Sequence, residues 1–273
     1  MKNENKTLAN RFTIITGACG GLGSAFCECV AQSGENLIIT GTNSERLEAK
    51  KQELLGKFHD IKVFTFKMDL SVPEERVAFF EFLKENDLKP HRLINNAGFI
   101  AEGGLLDFSD EKVLKIIRVN CEGNVDLTQK FIKMMGDNIE ILTVSSLGAF
   151  YPMPYMSVYS ATKRMIECQM VALHEEVKPK NIKVSALCPG GIPTTKEMID
   201  AIKAQGLGGK LSSQSPEYIA KYALKKLEKN KAVIIPGAFN RFLHFMGHFA
   251  SETTIAKMVG KRWAKANKKR TEK

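Results

Sequence analysis

The sequence predicts an α/β fold of the doubly wound kind, in which helices cover both faces of a seven-stranded parallel sheet. Three observations predict it. Short runs rich in Ile, Val, Leu and Phe alternate with longer segments of helical periodicity, and 273 residues suit one large domain. Runs that are almost continuously apolar are typical of strands buried on both faces. No internal repeat or linker divides the chain.

Seven such runs follow one another along the chain. The predicted strands are Phe12–Thr16, Asn36–Thr40, Lys62–Lys67, Arg92–Asn95, Asn138–Val144, Lys183–Cys188 and Ala232–Ile235. Between them apolar residues recur at helical spacing, for example at Val77, Phe80 and Leu83. We therefore expect a Rossmann-like domain at residues 1–237 and a C-terminal helical appendage with a basic tail at 238–273.

The formal net charge of +10 lies mostly at the C-terminus, where residues 257–273 hold eight Lys or Arg and one Glu. The rest of the chain is nearly neutral and lacks the basic face that nucleic-acid binding needs, so no nucleic-acid partner is expected. The first residues are polar, and no apolar stretch reaches the ~18 residues of a membrane span. These features predict a cytoplasmic protein.

The cysteines and histidines give no sign of a metal site. The six cysteines are Cys19, Cys27, Cys29, Cys121, Cys168 and Cys188, and no two are spaced Cys-x-x-Cys. His244 and His248 are four residues apart, but no third ligand is evident nearby. We expect no metal and no disulfide framework.

A glycine-rich loop follows the first predicted strand. It consists of Thr16, Gly17, Ala18, Cys19, Gly20, Gly21, Leu22 and Gly23, and a helical pattern follows. Glycines let backbone N–H groups approach a pyrophosphate, and the helix N-terminus adds a positive field. The spacing is Gly-x-x-x-Gly-x-Gly, not the commoner Gly-x-Gly-x-x-Gly. The loop predicts a dinucleotide site.

A tyrosine and a lysine stand four residues apart in a later helical segment. Tyr159 and Lys163 would share one helix face. A fixed cation lowers the pKa of a tyrosine from about 10 toward the working range, as proton transfer to an alkoxide requires. Ser146 ends the fifth predicted strand, on the sheet edge where this architecture binds ligands. Its hydroxyl could stabilise charge on a substrate oxygen.

Together these motifs resemble those of the short-chain dehydrogenase/reductase family over roughly residues 10–240. The matching residues are Thr16-Gly17-x-x-x-Gly21-x-Gly23, Asn95-Asn96-Ala97-Gly98, Asn120, Ser146, Tyr159-x-x-x-Lys163 and Pro189-Gly190-x-Ile192-x-Thr194. The resemblance implies that Tyr159 is the general acid or base and that Lys163 lowers its pKa. It further implies that Ser146 orients the carbonyl and that Asn120 holds a water for proton relay. Ser146 is preferred to Ser145 because it stands thirteen residues before Tyr159, as the family's serine does.

The resemblance also implies the cofactor contacts. The residues expected to bind the dinucleotide are Gly17, Cys19, Gly20, Gly21, Leu22, Gly23, Thr42, Asn43, Asp69, Leu70, Asn96, Ala97, Gly98, Tyr159, Lys163, Pro189, Gly190, Ile192 and Thr194. Among them, Asp69 would contact the adenine amine, and Ile192 and Thr194 would hold the carboxamide.

The stretch after the second predicted strand favours NADP over NAD. NAD enzymes usually place a carboxylate there for the ribose 2′-OH, whereas this chain has none before Glu45. The polar groups of Thr42 and Asn43 suit a phosphate. The basic residue that many NADP-using relatives have at this point is absent, and Arg46 is expected on the following helix. NAD therefore stays an alternative.

The segment after Ser146 is apolar and aromatic, which predicts a hydrophobic ketone: acyl, steroid-like or aromatic. The expected substrate contacts are Ser146, Leu147, Phe150, Met153, Tyr155 and Met198. The alternative is that these side chains only pack against neighbouring helices. Residues after Thr194 are expected to form a mobile lid, with Gly206, Gly208 and Gly209 as hinges.

Three interpretations of the appendage stay open: a cover for the substrate pocket, a dimer interface, or a basic amphipathic helix on a membrane surface. Packing or oligomerisation is the simplest, and the resemblance implies a homodimer or homotetramer. Membrane-surface contact is not favoured. Other function classes are an epimerase or dehydratase, which such a glycine loop fits less well, and a non-catalytic dinucleotide sensor or scaffold. The sensor is disfavoured because every catalytic position is filled.

Overall fold

The structure, a computed structural model, describes residues 11–271, and the side chains of all of these except 262 and 264–271. Its strands are β1 (Phe12–Thr16), β2 (Asn36–Gly41), β3 (Val63–Lys67), β4 (Arg92–Asn95), β5 (Glu140–Val144), β6 (Lys183–Leu187) and β7 (Val233–Ile234). They form one parallel sheet in the order β3-β2-β1-β4-β5-β6-β7. The strand order reverses between β1 and β4, where this architecture binds ligands. The predicted fold class is confirmed.

Helices cover both faces of the sheet. They are α1 (Gly21–Gln32), α2 (Ser44–Lys57), α3 (Pro73–Glu85), α4 (Asp110–Ile117), α5 (Gly123–Met135), α6 (Ser157–Glu176), α7 (Lys196–Ala204), α8 (Gly206–Ser212), α9 (Pro216–Glu228), α10 (Ala238–Gly247) and α11 (Glu252–Thr271). A turn of π-helix at Arg118–Glu122 joins α4 to α5, and a 3₁₀ turn at Leu147–Phe150 follows β5. None of the described helices is long and apolar enough to cross a bilayer.

Each central strand contributes to two hydrophobic cores because successive side chains point to opposite faces of the sheet. Ile14 and Ile15 are adjacent in β1 and fully buried, yet they belong to different clusters. Ile14 packs in the cluster that contains Phe79 and Phe131, whereas Ile15 packs in the one that contains Phe26. Burial on both faces explains why the predicted strands are almost continuously apolar.

A buried ionic network closes the edge of the sheet at which the strands begin. Arg92 lies between two carboxylates, 2.9 Å from Glu35 and 2.7 Å from Glu140. Lys183 pairs with Glu140 at 2.9 Å. Burial raises the pKa of Glu140, but the two cations more than offset this and lower it to about 2. Ion pairs therefore occupy the edge at which the strands begin. The edge at which the strands end is the one where a ligand site is expected.

Small differences from the predicted elements have local causes. β5 starts at Glu140 because Asn138 has a left-handed backbone conformation, with φ of 60°, and turns the chain. The lid segment forms α7 and α8, which meet at Gly206, where φ is 65°; Gly208 and Gly209 lie within α8.

The appendage consists of α10 and α11. It packs on the turn after β5, where the rings of Phe150 and His244 lie 4.1 Å apart. The boundary at residue 237 stays a prediction.

Candidate active site

A cavity of about 620 Å³ lies along the edge at which the strands end. The ends of β2 and β5 contribute to its lining, and so do the glycine loop after β1 and the residues that follow β3, β4 and β6. Every residue predicted to bind the dinucleotide lines this cavity. The sequence motifs, which are far apart along the chain, therefore come together in one place.

The glycine loop forms an open cradle at one end of the cavity. Gly17 has φ of 64°, and a Cβ there would lie 2.9 Å from the Cα of Ala97. A Cβ on Gly21 would overlap the side chain of Thr194, and one on Gly23 would overlap the carbonyl of Gly17. No side chain caps the N-terminus of α1. The first N–H groups of this helix stay available to an anion, so the loop fits a pyrophosphate.

The segment after β4 holds this loop in place. The hydroxyl of Thr16 accepts hydrogen bonds from the backbone N–H groups of Asn96 and Ala97, both at 3.0 Å. The side chain of Asn96 donates to the carbonyls of Thr16 and Gly17 at 3.0 and 3.1 Å. A Cβ on Gly98 would lie 3.2 Å from Nζ of Lys163, so the absence of a side chain there gives the lysine its room.

Tyr159, Ser146 and Lys163 meet at the other end of the cavity. Ser146 and Tyr159 are hydrogen-bonded through their side chains. Nζ of Lys163 donates to the carbonyl of Val144 at 2.8 Å and lies 5.8 Å from the centre of the Tyr159 ring. α6 presents both the phenol and the ammonium, as the spacing of four residues predicted.

Burial shifts the pKa values of both Tyr159 and Lys163. Burial raises the pKa of this phenol, and the hydrogen bond with Ser146 opposes that shift only in part. Burial also lowers the pKa of the Lys163 ammonium to about 8. That Lys163 lowers the pKa of Tyr159 stays a prediction, and the pKa of the phenol here lies above its ordinary value. The phenol therefore keeps its proton at neutral pH, which is the form that a general acid needs.

The two adjacent serines have different partners. Ser145 donates its hydroxyl to the backbone carbonyl of Lys163 at 2.7 Å, which ties β5 to α6. Ser146 accepts from the N–H of Gly148 at 3.0 Å and contacts Tyr159. This arrangement supports the choice of Ser146 as the serine that meets the substrate.

Asn120 lies beneath the cavity and does not line it. Its side-chain oxygen accepts from the N–H of Phe99 at 2.7 Å, and its amide donates to the carbonyl of Phe99 at 2.9 Å and to Thr162 at 3.1 Å. Its own backbone carbonyl accepts from Asn124. These contacts make Asn120 a positioning residue for the segment after β4, and its role in holding a water stays a prediction.

A family model described as short chain dehydrogenase matches residues 11–205. The chain belongs to this family. The resemblance inferred from the motifs is thereby confirmed.

Three relatives of this short-chain dehydrogenase illustrate the likeness. The NADPH-dependent 1-acyldihydroxyacetone phosphate reductase of Saccharomyces cerevisiae is 32% identical over 198 residues, which cover 70% of this chain and 64% of that one. Dehydrogenase/reductase SDR family member 7B of Mus musculus is 30% identical over 205 residues, 73% of this chain and 62% of that one. The chain thus spans less than two thirds of these two relatives. The very-long-chain 3-oxoacyl-CoA reductase of Neurospora crassa is 26% identical over 257 residues, 91% and 73% of the two chains.

Solved structures share the fold. One, from work on the stereoselectivity of a 7β-hydroxysteroid dehydrogenase, superposes with a TM-score of 0.84 at 22% identity, covering 92% of this chain and 96% of that one. A short-chain dehydrogenase of Sphingobium yanoikuyae in complex with NADPH gives a TM-score of 0.74 at 24% identity, with coverage of 87% and 93%. At these identities the likeness shows the fold alone.

The residues predicted to contact substrate are divided between places in this dehydrogenase. Ser146 and Met198 line the main cavity. Leu147 is buried in the core instead, and its N–H donates to the carbonyl of Pro189 at 2.8 Å. The 3₁₀ turn that begins at Leu147 directs the following side chains toward the appendage rather than toward the cavity.

The other three residues predicted to contact substrate, Phe150, Met153 and Tyr155, lie outside the main cavity. Phe150 and Met153 line a second cavity of about 390 Å³, between α6 and the start of α11. Tyr155 is exposed, has φ of 67°, and accepts from the N–H of Gly103 through its carbonyl. In the structure, packing against neighbouring helices therefore describes Leu147 and Phe150 better than substrate contact does.

Two basic residues in the main cavity were missed as site residues. Arg46 is the third residue of α2, and its guanidinium turns back to donate to the carbonyl of Cys19 at 2.9 Å. The Asn43 side chain caps this helix by accepting from the N–H of Arg46. A capping residue three positions before an arginine was the available signal, since it places the arginine in the first turn. Lys115, on α4, lies 3.6 Å from Asp69.

Proposed function

We propose that this short-chain dehydrogenase is an oxidoreductase that transfers hydride between NADP(H) and a ketone or secondary alcohol. The observation that carries the proposal is the contact of Ser146 with Tyr159 beside Lys163, at the end of a cavity that begins at the open N-terminus of α1. An acid and a hydrogen-bond donor are thus held at one end of a cradle for a dinucleotide. In the reductive direction the protonated phenol is the general acid, and in the oxidative direction the same group is the base.

The chain's residues would supply position and protons. A bound nicotinamide supplies the hydride that carbonyl reduction requires. The Tyr159 phenol donates its proton to the substrate oxygen as negative charge develops there. The Ser146 hydroxyl donates a hydrogen bond to the same oxygen and stabilises that charge. The Lys163 ammonium adds a positive field and suits the hydroxyls of the nicotinamide ribose.

The charges around the cavity support NADP. Arg46 and Lys115 both line it, whereas Thr42 stands where NAD enzymes usually have a carboxylate. Burial raises the pKa of the one carboxyl in the lining, Asp69, but hydrogen bonds from Ser71 and the charge of Lys115 lower it further than burial raises it. The guanidinium of Arg46 is suited to bind a 2′-phosphate. NADPH is also named for a relative and for a solved structure of the same fold. NAD is the alternative cofactor.

Apolar side chains support a hydrophobic substrate, acyl or otherwise. Ile192, Met198 and Ile100 line the cavity. Two relatives are named as reductases of an acylated ketone and of a very-long-chain 3-oxoacyl thioester. A steroid-like or aromatic ketone fits the same description. The cytoplasmic compartment and the homodimer or homotetramer stay predictions.

Two measurements test this function. NADPH and NADH are titrated into the protein by nucleotide fluorescence, and NADPH is expected to bind more tightly. Turnover is then measured with a panel of acyl, aromatic and small charged ketones. Tyr159→Phe should lower kcat by about 10²–10⁴-fold and leave NADPH binding intact. Tyr155→Phe, at an exposed tyrosine outside the cavity, is the matched control.

The outcomes separate an enzyme from a sensor. Turnover that survives Tyr159→Phe would overturn the proposed acid, and the best turnover on small charged ketones would overturn the hydrophobic substrate. NADPH binding with no turnover of any ketone or alcohol would favour the dinucleotide sensor. Binding of neither nucleotide would overturn the function as a whole.

A further inference from the structure

Helix α10 leaves an apolar stripe exposed. Phe242, Phe245 and Met246 recur at the spacing of one helix face, Phe249 follows two residues after the helix ends, and each of the four is between 46% and 72% exposed. The helix is held to the protein by other residues: Asn240 is fully buried and Leu243 packs against the core. Large apolar side chains exposed singly are ordinary, but a contiguous stripe marks a surface that binds something.

The lid helix α8 extends this surface. Leu207 is 73% exposed, and Leu211, one turn later, is also exposed. The side chain of Asn240 donates to the carbonyl of Ser212 at 3.0 Å, which joins the end of α8 to the start of α10. We use the name appendage patch for Leu207, Leu211, Phe242, Phe245, Met246 and Phe249.

The charge around the appendage patch is mainly positive, although the exposed Asp200 and Glu252 flank it. Residues 201–216 and 229–251 contain no Asp or Glu, although both hold Lys or Arg. Lys203 and Lys210 are exposed beside the apolar residues of the lid. Lys257 and Lys261 are exposed on α11, the helix that packs on α7. The apolar stripe is thus flanked by cations.

We propose that the appendage patch binds the surface of an anionic lipid bilayer. Aromatic and Met side chains enter the boundary between headgroups and acyl chains, and lysines beside them are attracted to anionic headgroups. Since none of the described helices can span a bilayer, the appendage lies on the surface. This binding requires neither nucleotide nor hydride transfer, so it can be tested independently of the proposed function.

A second copy of the chain is the competing occupant, and the charges oppose it. A two-fold contact places the same patch against itself. The lysines around the appendage patch would then mostly face lysines, because residues 201–216 and 229–251 contain no Asp or Glu and only Asp200 and Glu252 flank these segments on the side of the patch. Like charges brought together disfavour association, whereas an anionic surface is complementary to them.

The test is flotation of the full-length protein with lipid vesicles. Phosphatidylcholine vesicles with and without phosphatidylserine are compared at low and high salt, in the absence of nucleotide. The protein should float with the anionic vesicles, and high salt should weaken this binding because it screens the lysines. Phe245→Ser/Phe249→Ser should lower the bound fraction about tenfold, since each phenyl removed leaves less apolar area to insert.

Two further variants complete the design. Lys257→Glu/Lys261→Glu should abolish the preference for anionic vesicles. Val77→Ser removes an apolar side chain that is 45% exposed on α3, outside the appendage patch, and should bind as the unmodified protein does. NADPH binding and thermal melting check that each variant is folded.

Three results would overturn the proposal. The first is that the unmodified protein does not float with anionic vesicles. The second is that Phe245→Ser/Phe249→Ser floats as well as the Val77→Ser control. In the third result, sedimentation shows an oligomer that only the phenylalanine variant dissociates while no form floats. The appendage patch would then be an interface between copies of the chain.

Discussion

The ammonium of Lys163 donates to the carbonyl oxygen of Val144 at 2.8 Å. This bond joins the helix that carries Tyr159 to the last residue of β5, two residues before Ser146. The acid, the hydroxyl and the cation are therefore fixed to one strand end before any ligand arrives. Such preorganisation is what stabilises charge in a transition state without a further cost of rearrangement.

The affinity for NADPH should fall as pH rises through about 8. Burial lowers the pKa of Lys163 to about 8, so its positive charge is present below that pH and is lost above it. Fluorescence titration of NADPH between neutral and alkaline pH measures this directly. Lys163→Met has no charge to lose and should bind weakly with little dependence on pH. An affinity of the unmodified protein that stays constant across this range would contradict the prediction.

Ser146→Ala and Ser145→Ala should affect different properties. The Ser146 hydroxyl contacts Tyr159, so its removal should lower kcat by about 10²–10³-fold with the fold intact. The Ser145 hydroxyl donates to the Lys163 carbonyl, and its loss should destabilise the protein by about 1–2 kcal/mol. Ketone turnover and urea unfolding, measured on both variants, make the comparison. If Ser145→Ala shows the greater loss of kcat, the assignment is wrong.

Arg46→Ala should weaken NADPH binding by about tenfold or more and leave NADH binding unchanged, because only NADPH carries the 2′-phosphate that a guanidinium binds. Lys51→Ala removes a cation from the same helix, paired with Glu48, and serves as control. Parallel titrations of both nucleotides give the ratio of affinities. An equal loss for NADPH and NADH would indicate that Arg46 only supports the loop through Cys19.

The charge network at the other edge of the sheet should make stability depend on acid pH. The pKa of Glu140 is about 2 in the folded protein and 4.5 ordinarily, so its charge stabilises the fold above about 4.5. That contribution is lost as pH falls from about 4.5 through 2. Glu140→Gln should lose about 3 kcal/mol near neutral pH, because Arg92 keeps only one of its two close carboxylates.

Urea unfolding at neutral and acid pH measures this dependence. Glu140→Gln should show a shallower loss of stability with acid than the unmodified protein, since it has no carboxylate to protonate there. Glu81→Gln on the exposed side of α3 is the control and should behave as the unmodified protein does. Parallel acid curves for the unmodified protein and Glu140→Gln would contradict the prediction.

Hydrophobic periodicity and short motifs predicted the features of the fold and of the site that depend on neighbouring residues in the sequence. Strands buried on both faces leave continuous apolar runs, so the number of strands and their approximate positions along the chain were predicted from the sequence. Residues of the nucleotide cavity followed from motif spacing, which fixes backbone positions. The direction of the chain after Ser146 did not follow, because a 3₁₀ turn buries Leu147 and no periodic signal marks so short an element. The place of Arg46 in the cavity lining was not predicted, because it depends on the residue at which α2 begins.

The hydrogen bonds between Thr16 and Asn96 join residues 80 positions apart in the chain. A growing or partly folded chain that lacks β4 has the glycine loop but nothing to hold it open. Formation of the nucleotide cradle therefore depends on pairing of strands that are distant in sequence. A dinucleotide that binds only the completed cradle stabilises the folded chain in proportion to the logarithm of its concentration. The cell's supply of nucleotide would then set how much of this protein survives heat or proteolysis, as well as how fast it turns over.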